Sequence, residues 1–324
     1  MSDSPAGMPR LDSATWASSS LLRQWLVASR ADVLVLTFQS AMLGGLLALA
    51  DGIVAPVLWL WCVVGLLLAH ATNNQLNDYV DYRTGVDTND YFRVRYGTHV
   101  LHDGLMNDGE MRRMIAVTGG LALTVGLIVA FLTDWSVLWL IIGGAVFLLF
   151  YTWPMKHWGL GEIAVFLVWG PMMIAGVDWV LRGYLDPGVL IASCVFALPP
   201  TLVIFGKHID KLETDRTRGV GTLPVRLGIE TSLMVMLVMV VLLYAGMVAL
   251  IVAGTLTPWV LVVALSLPSA RRLVSTLRSE RPAEPPPALP EGVWPLWYVA
   301  WAFGFARQFG LFLLAGLVAG LLAG

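Results

Sequence analysis

The sequence predicts an all-α, polytopic membrane protein with nine transmembrane helices. Three observations carry that reading. Of the 324 residues, 57% are hydrophobic and only 13% are charged, where a soluble domain carries about a quarter charged residues. Mean hydropathy is +0.75, so lipid is the solvent for most of the surface. The apolar residues gather into runs near the roughly 20 residues that a helix needs to cross hydrocarbon.

Nine runs qualify: 32–50, 53–72, 113–133, 135–153, 161–181, 187–206, 231–253, 257–270 and 297–322. The eighth is short and contains Pro268. With this count, 18 of the 20 Lys and Arg residues fall on one side. Only Arg182 lies opposite, and Arg307 lies within the ninth run. The positive-inside rule makes the basic side cytoplasmic, with the N-terminus inside and the C-terminus outside. The implied place is a prokaryotic cell membrane. Residues 1–29 read as a polar tail without a cleavable signal, and residues 30–324 as one membrane domain. The lipid bilayer is the expected surroundings. A net charge of −2 gives no global field for nucleic acid. Cys62 and Cys194 sit in apolar runs and form no disulfide framework or metal motif. The Pro-rich stretch 279–295 reads as a linker.

Long loops on one face of a helical scaffold are where chemistry is usually placed, and two acidic clusters lie there. The first, Asn74–Asp87, reads NQLNDYVDYRTGVD at the end of the second span. Asn74, Asp78 and Asp81 are spaced four and three apart, so a helix puts them on one face. Gly85 is placed to end that helix, with Asp87 on the loop. The second, Lys207–Gly219, reads KHIDKLETDRTRG at the end of the sixth span and offers Asp210, Glu213 and Asp215. Clustered carboxylates repel one another unless a cation intervenes. Facing carboxylates suit Mg²⁺, which binds phosphate oxygens and keeps several waters. Arg83, Arg93, Arg95, Lys207, Lys211, Arg216 and Arg218 stand beside them in the sequence. Acid to hold metal and base to hold phosphate is the make-up of a diphosphate site. The clusters lie four spans apart, which implies two four-helix units plus a ninth helix.

At these residues the sequence resembles the UbiA superfamily of intramembrane prenyltransferases, and within it the 1,4-dihydroxy-2-naphthoate polyprenyltransferase branch. Asn74, Asp78, Asp81 and Asp87 match the first motif. Glu213, Asp215, Arg216 and Gly219 match the second, followed by TLPVRLG at Thr222–Gly228. YTWPMKHWGLGE, from Tyr151 to Glu162, is similar to the segment after the fourth span, and Arg30 stands where the family has an Arg-Pro pair, with Ala31 in place of the Pro. Lys211 occupies the place of the second motif's first Asp, with Asp210 one position earlier.

The resemblance implies Mg²⁺-dependent transfer of a polyprenyl group from its diphosphate to a lipophilic aromatic acceptor. That acceptor is 1,4-dihydroxy-2-naphthoate, for menaquinone, or another acceptor: hydroxybenzoate-like, homogentisate-like, a tetrapyrrole or a lipid alcohol. Asp78, Asp81 and Asp215 are the implied catalytic residues. Asp78, Asp81, Asp87, Asp210, Glu213 and Asp215 are the implied metal ligands. Arg30, Asn74, Arg83, Arg93, Arg95, Tyr151, Lys207, Lys211 and Arg216 are the implied substrate contacts. A secondary transporter is the alternative of another class, but its acids would lie near the midplane. His70 reads as a hydrogen-bonded core residue, His99 and His102 as solvated loop residues, and Glu162 as a helix cap or substrate contact. Arg307, in mid-span, is expected to close a cavity or meet an acid.

Overall fold

A computed structural model describes residues 10–86, 97–287, 289 and 293–323. Among them nine helices are long and apolar enough to cross a membrane: α1 (Ala31–Ala50), α2 (Pro56–Arg83), α3 (Asp108–Leu132), α4 (Trp135–Met155), α5 (Gly161–Arg182), α6 (Pro187–Asp210), α7 (Ile229–Val252), α8 (Pro258–Arg278) and α9 (Tyr298–Ala323). Each matches a predicted span, and there are no strands among the described residues. Outward side chains confirm the lipid solvent: Leu60, Trp139, Val241 and Val252 are all more than half exposed.

The helices that carry the acidic motifs run past the hydrophobic spans. α2 is 28 residues long and continues through the first motif to Arg83. It stops where Gly85 takes a left-handed φ of 73°, a conformation that a Cβ opposes. α8 begins as a 3₁₀ segment, Pro258–Ser266, and continues as an α-helix to Arg278. The larger core joins α1 and α5 to α6–α9 through Leu46, Ile174, Phe205, Leu243, Leu273 and Phe309. A smaller one joins α1–α5 through Ala41, Val63, Val129, Val137 and Val177.

Two segments differ from expectation. Part of the predicted polar tail forms two short helices, Ser13–Ala17 and Leu21–Ala28. Trp16 is buried there against Val100, Leu101 and Met111, and the Trp25 indole donates to Thr118 Oγ1 at 3.0 Å. The Pro-rich linker is tied down too. Arg281 donates to the carbonyls of Asp210 at 2.8 Å and Pro295 at 2.6 Å.

Asp210 is the main correction. It was expected among the metal ligands, but its carboxylate accepts from the backbone N–H groups of Trp297, Tyr298 and Val299, each at 3.0 Å. These are orphan donors at the start of α9, where the helix dipole also favours an anion. α6 approaches closely enough because position 206 is glycine: a Cβ there would lie 2.9 Å from the Val299 nitrogen. Asp210 therefore staples α6 to α9. Replacing it with Ala strands buried N–H groups and is expected to cost about 3 kcal/mol. Thermal unfolding in detergent should show a Tm lowered by several degrees, with the Mg²⁺ requirement unaltered.

Candidate active site

The first motif is built on the buried face of α2. Asn74, Asn77, Asp78 and Asp81 are 5%, 7%, 3% and 6% exposed, as their spacing requires. Burying ionised carboxylates is costly unless cations meet them, and each has one. Arg30 approaches Asp78 at 3.5 Å. The same guanidinium donates to the Asn74 side chain at 3.2 Å and the Asn77 side chain at 3.4 Å. Its backbone has a φ of 51°, a strained region for a residue with a Cβ. The Asn74 amide donates in turn to the Ser29 carbonyl at 2.9 Å. The turn before α1 is thus bent to aim Arg30 at the α2 face.

Both carboxylate oxygens of Asp81 meet one ammonium. Lys156 Nζ lies 2.7 Å from each carboxylate oxygen, and the lysine is 2% exposed. α4 delivers it through a break at Trp153 and Pro154. Asn77 donates to Asp81 at 3.3 Å and to Thr152 Oγ1 at 3.1 Å, closing the link between α2 and α4. Lys156, Asn77 and Thr152 had no predicted role. The signal for Lys156 was present as a lone cation after the fourth span, but nothing in the sequence shows which acid it meets.

The second motif sits on a short helix, Leu212–Thr217. Asp215 is fully buried and pairs with Lys211 at 3.2 Å. Lys211 is thus the ion-pair partner of the carboxylate that remains. Lys207 lies in the electrostatic reach of Arg30, Lys211, Lys156 and Asp78. Glu213 does not join this group. It is exposed and pairs with exposed Arg216 at 2.9 Å, so neither reaches the buried set. Arg83 likewise points to Asp108 at 3.5 Å on the surface. Asp87, Arg93 and Arg95 lie outside the described residues.

The two motif ends meet. Arg218 donates to the Gly85 carbonyl at 3.1 Å, and Val86 packs on Val220. His157 joins them: Arg226 donates to its carbonyl at 3.2 Å. Burial, then the adjacent Lys156 ammonium, pushes the His157 imidazole below its ordinary pKa, while Asp81, the Gly219 backbone and Asp215 act against that shift. Glu162 and His208 form a buried pair nearby, and Glu162 also accepts from the Leu223 N–H at 3.4 Å. Its role here is to tie the start of α5 to α6 and the segment after the second motif.

Beneath this junction runs a cavity of about 670 Å³. Arg30, Asn74, Asn77, Tyr151 and Lys207 line its polar end, and Trp61, Val129, Leu140 and Val180 its apolar depth. Leu123 on α3 and Leu149 on α4 line it and are also more than half exposed, so it opens sideways toward lipid. Arg307 does not line it; its guanidinium lies 5.6 Å over the Phe303 ring. His99, expected to be solvated, is fully buried, and its backbone N–H donates to Asp103 at 2.9 Å.

Asp78, Asp81 and Asp215 are hard oxygen donors held behind that polar lining by Arg30, Lys156 and Lys211, and their chemistry fits Mg²⁺. Among the described residues no three His, Cys, Asp or Glu side chains are grouped so as to hold a metal ion by themselves. Mg²⁺ does not need one, since one or two carboxylates, waters and substrate phosphates complete its shell. The Lys156–Asp81 pair gives a direct test of the site's construction. Lys156→Met strands a buried carboxylate and is expected to cost about 3 kcal/mol or more. Adding Asp81→Asn should recover much of that loss, read as Tm in detergent; additive losses would contradict the pairing.

Comparison with known proteins agrees with this fold. The model of the UbiA prenyltransferase family matches residues 38–289. A 1,4-dihydroxy-2-naphthoate octaprenyltransferase of Escherichia coli is 29% identical over 221 residues, 64% of this chain and 70% of that protein. The Mycobacterium tuberculosis protein of the same name is 30% identical over 230 residues, again 64% of this chain and 70% of its own length. The solved structure of a UbiA homolog from Archaeoglobus fulgidus, bound to GPP and Mg²⁺, superposes with a TM-score of 0.63 at 14% identity, covering 93% of this chain and all of that one. With the family match spanning most of its length, this chain belongs to the UbiA prenyltransferase family and is a multi-pass membrane prenyltransferase.

Proposed function

We propose that the protein transfers a polyprenyl group from an allylic diphosphate to a hydroxylated aromatic ring of the naphthoate type. The observation that carries this reading is the cavity with two unlike ends. Arg30, Lys207 and the Asn74 and Asn77 side chains line one end, with Asp78 paired to Arg30 behind them, and an apolar channel reaches lipid at the other. A diphosphate suits the first and a prenyl tail the second. The relatives named as naphthoate prenyltransferases support the acceptor class.

Asp78, Asp81 and Asp215 would hold Mg²⁺, which supplies positive charge to the diphosphate oxygens. Arg30, Lys207 and Lys211 add cationic donors of their own, of the kind that bind phosphate. These groups favour the charge that develops as the C–O bond to the prenyl carbon breaks and diphosphate leaves with the electron pair. An electron-rich ring carbon then supplies the pair for the new C–C bond and sheds its own substituent, a proton in the simplest case. The apolar walls keep water from the allylic cation. The distribution of Lys and Arg supports a cytoplasmic mouth, an inner N-terminus and an outer C-terminus.

The test uses membranes that contain the protein, a radiolabelled polyprenyl diphosphate and a panel of aromatic acceptors. Labelled product is expected with 1,4-dihydroxy-2-naphthoate and Mg²⁺, and none with EDTA. Asp78→Ala and Asp215→Ala should each lower the rate at least 100-fold, because each removes a group that acts on developing charge. Transfer that persists in either variant would contradict the assignment.

A further inference from the structure

Deep in the cavity two polar side chains touch, with apolar residues around them. His70 on α2 and Trp169 on α5 both line it. Their rings meet edge to face, with centroids 4.9 Å apart and planes at 89°. One ring nitrogen of His70, Nδ1, lies 2.7 Å from Thr37 Oγ1, and Thr37 is fully buried. The other, Nε2, is the nitrogen left for the cavity. The indole N–H of Trp169 is buried and has no hydrogen-bond partner. Trp297 and Trp301 share that deficit, but neither lines the cavity.

The local backbone singles out the same place. Trp169 sits in a π-helical segment, Val168–Ala175, that contains Pro171. Such segments are uncommon and often mark functional sites. Gly170, the next residue, fits against α6: a Cβ there would lie 2.6 Å from the Ser193 carbonyl oxygen. With position 170 committed to α6, the indole one step along is turned to the cavity.

A buried donor without an acceptor costs about 1–3 kcal/mol, and a histidine within a membrane span is a functional marker. A prenyl tail is hydrocarbon and cannot satisfy either group. A ring hydroxyl or carbonyl oxygen can. His70 precedes Asp78 by eight residues, about 12 Å along the helix. That leaves room for the diphosphate and then one aromatic ring. Building on the proposed prenyl transfer, we infer that Trp169 and His70 form the acceptor subsite, where a ring oxygen of the acceptor takes the indole hydrogen bond and meets the imidazole. The donor tail then lies along the apolar walls at Trp61, Val129 and Val180.

The experiment measures binding and turnover in the purified full-length protein. The binding probes are 1,4-dihydroxy-2-naphthoate and its oxygen-poor analogue 2-naphthoate, each tested without donor. Wild type should bind the dihydroxy probe about tenfold more tightly, the scale of one good hydrogen bond. Trp169→Phe should remove most of that preference and raise the acceptor KM by a similar factor. The donor KM should stay fixed. His70→Phe should act in the same direction, and unchanged Tm values would show that both variants fold. If Trp169→Phe does not fold, the two-probe comparison on wild type still decides. Equal binding of the probes overturns the subsite, as does a rise in donor KM that matches the rise in acceptor KM. A wild type that shows the probe preference but transfers no prenyl group would refute the proposed reaction and leave the subsite standing.

Discussion

Buried negative charge is the constraint on which this structure depends. Asp78, Asp81 and Asp215 are all within 6% of full burial, and carboxylates cannot remain ionised there without cations. The chain brings those cations from separate elements. Arg30 comes from a strained turn before α1, Lys156 from the broken end of α4, and Lys211 from the turn between α6 and the next helix. An ion pair of this kind does not itself add much stability, but it fails badly when one member is lost. The pairs therefore specify an arrangement: the ends of α2, α4 and α6 must meet, and the contacts of Gly85 with Arg218, of Val86 with Val220 and of Arg226 with the His157 carbonyl show that they do.

The same balance prepares the mouth for a substrate. In the proposed reaction Arg30, Lys207 and Lys211 meet the phosphate oxygens and the carboxylates meet a hard cation. Below them polarity falls away along α2, from Asn74 to His70, while α3 and α4 leave the lower cavity open to lipid. Charge at one end and hydrocarbon at the other match the two parts of a prenyl diphosphate.

Much of this was legible in the sequence. Hydropathy and the one-sided distribution of Lys and Arg marked the nine spans, because lipid imposes length and composition directly. The spacing of Asn74, Asp78 and Asp81 marked one helix face because helical periodicity is local. Asp210 and Asp215 lie five residues apart in one acidic run, yet one caps α9 and the other faces Lys211. Sequence spacing cannot tell these apart, since the difference depends on where α9 starts. Lys156 was visible only as a loop cation, because its partner lies 75 residues away. The π-helical turn at Trp169 left no periodic signal at all.

The central claim is that carboxylates from both motifs serve one metal–diphosphate site. The most direct measurement is Mn²⁺ binding to the purified protein, followed by electron paramagnetic resonance with and without inorganic pyrophosphate. One shared site requires that pyrophosphate strengthen Mn²⁺ binding and that Asp78→Asn and Asp215→Asn each abolish this gain. If each variant keeps the pyrophosphate-dependent gain, or loses an independent half of it, the motifs do not share a site and the account is wrong.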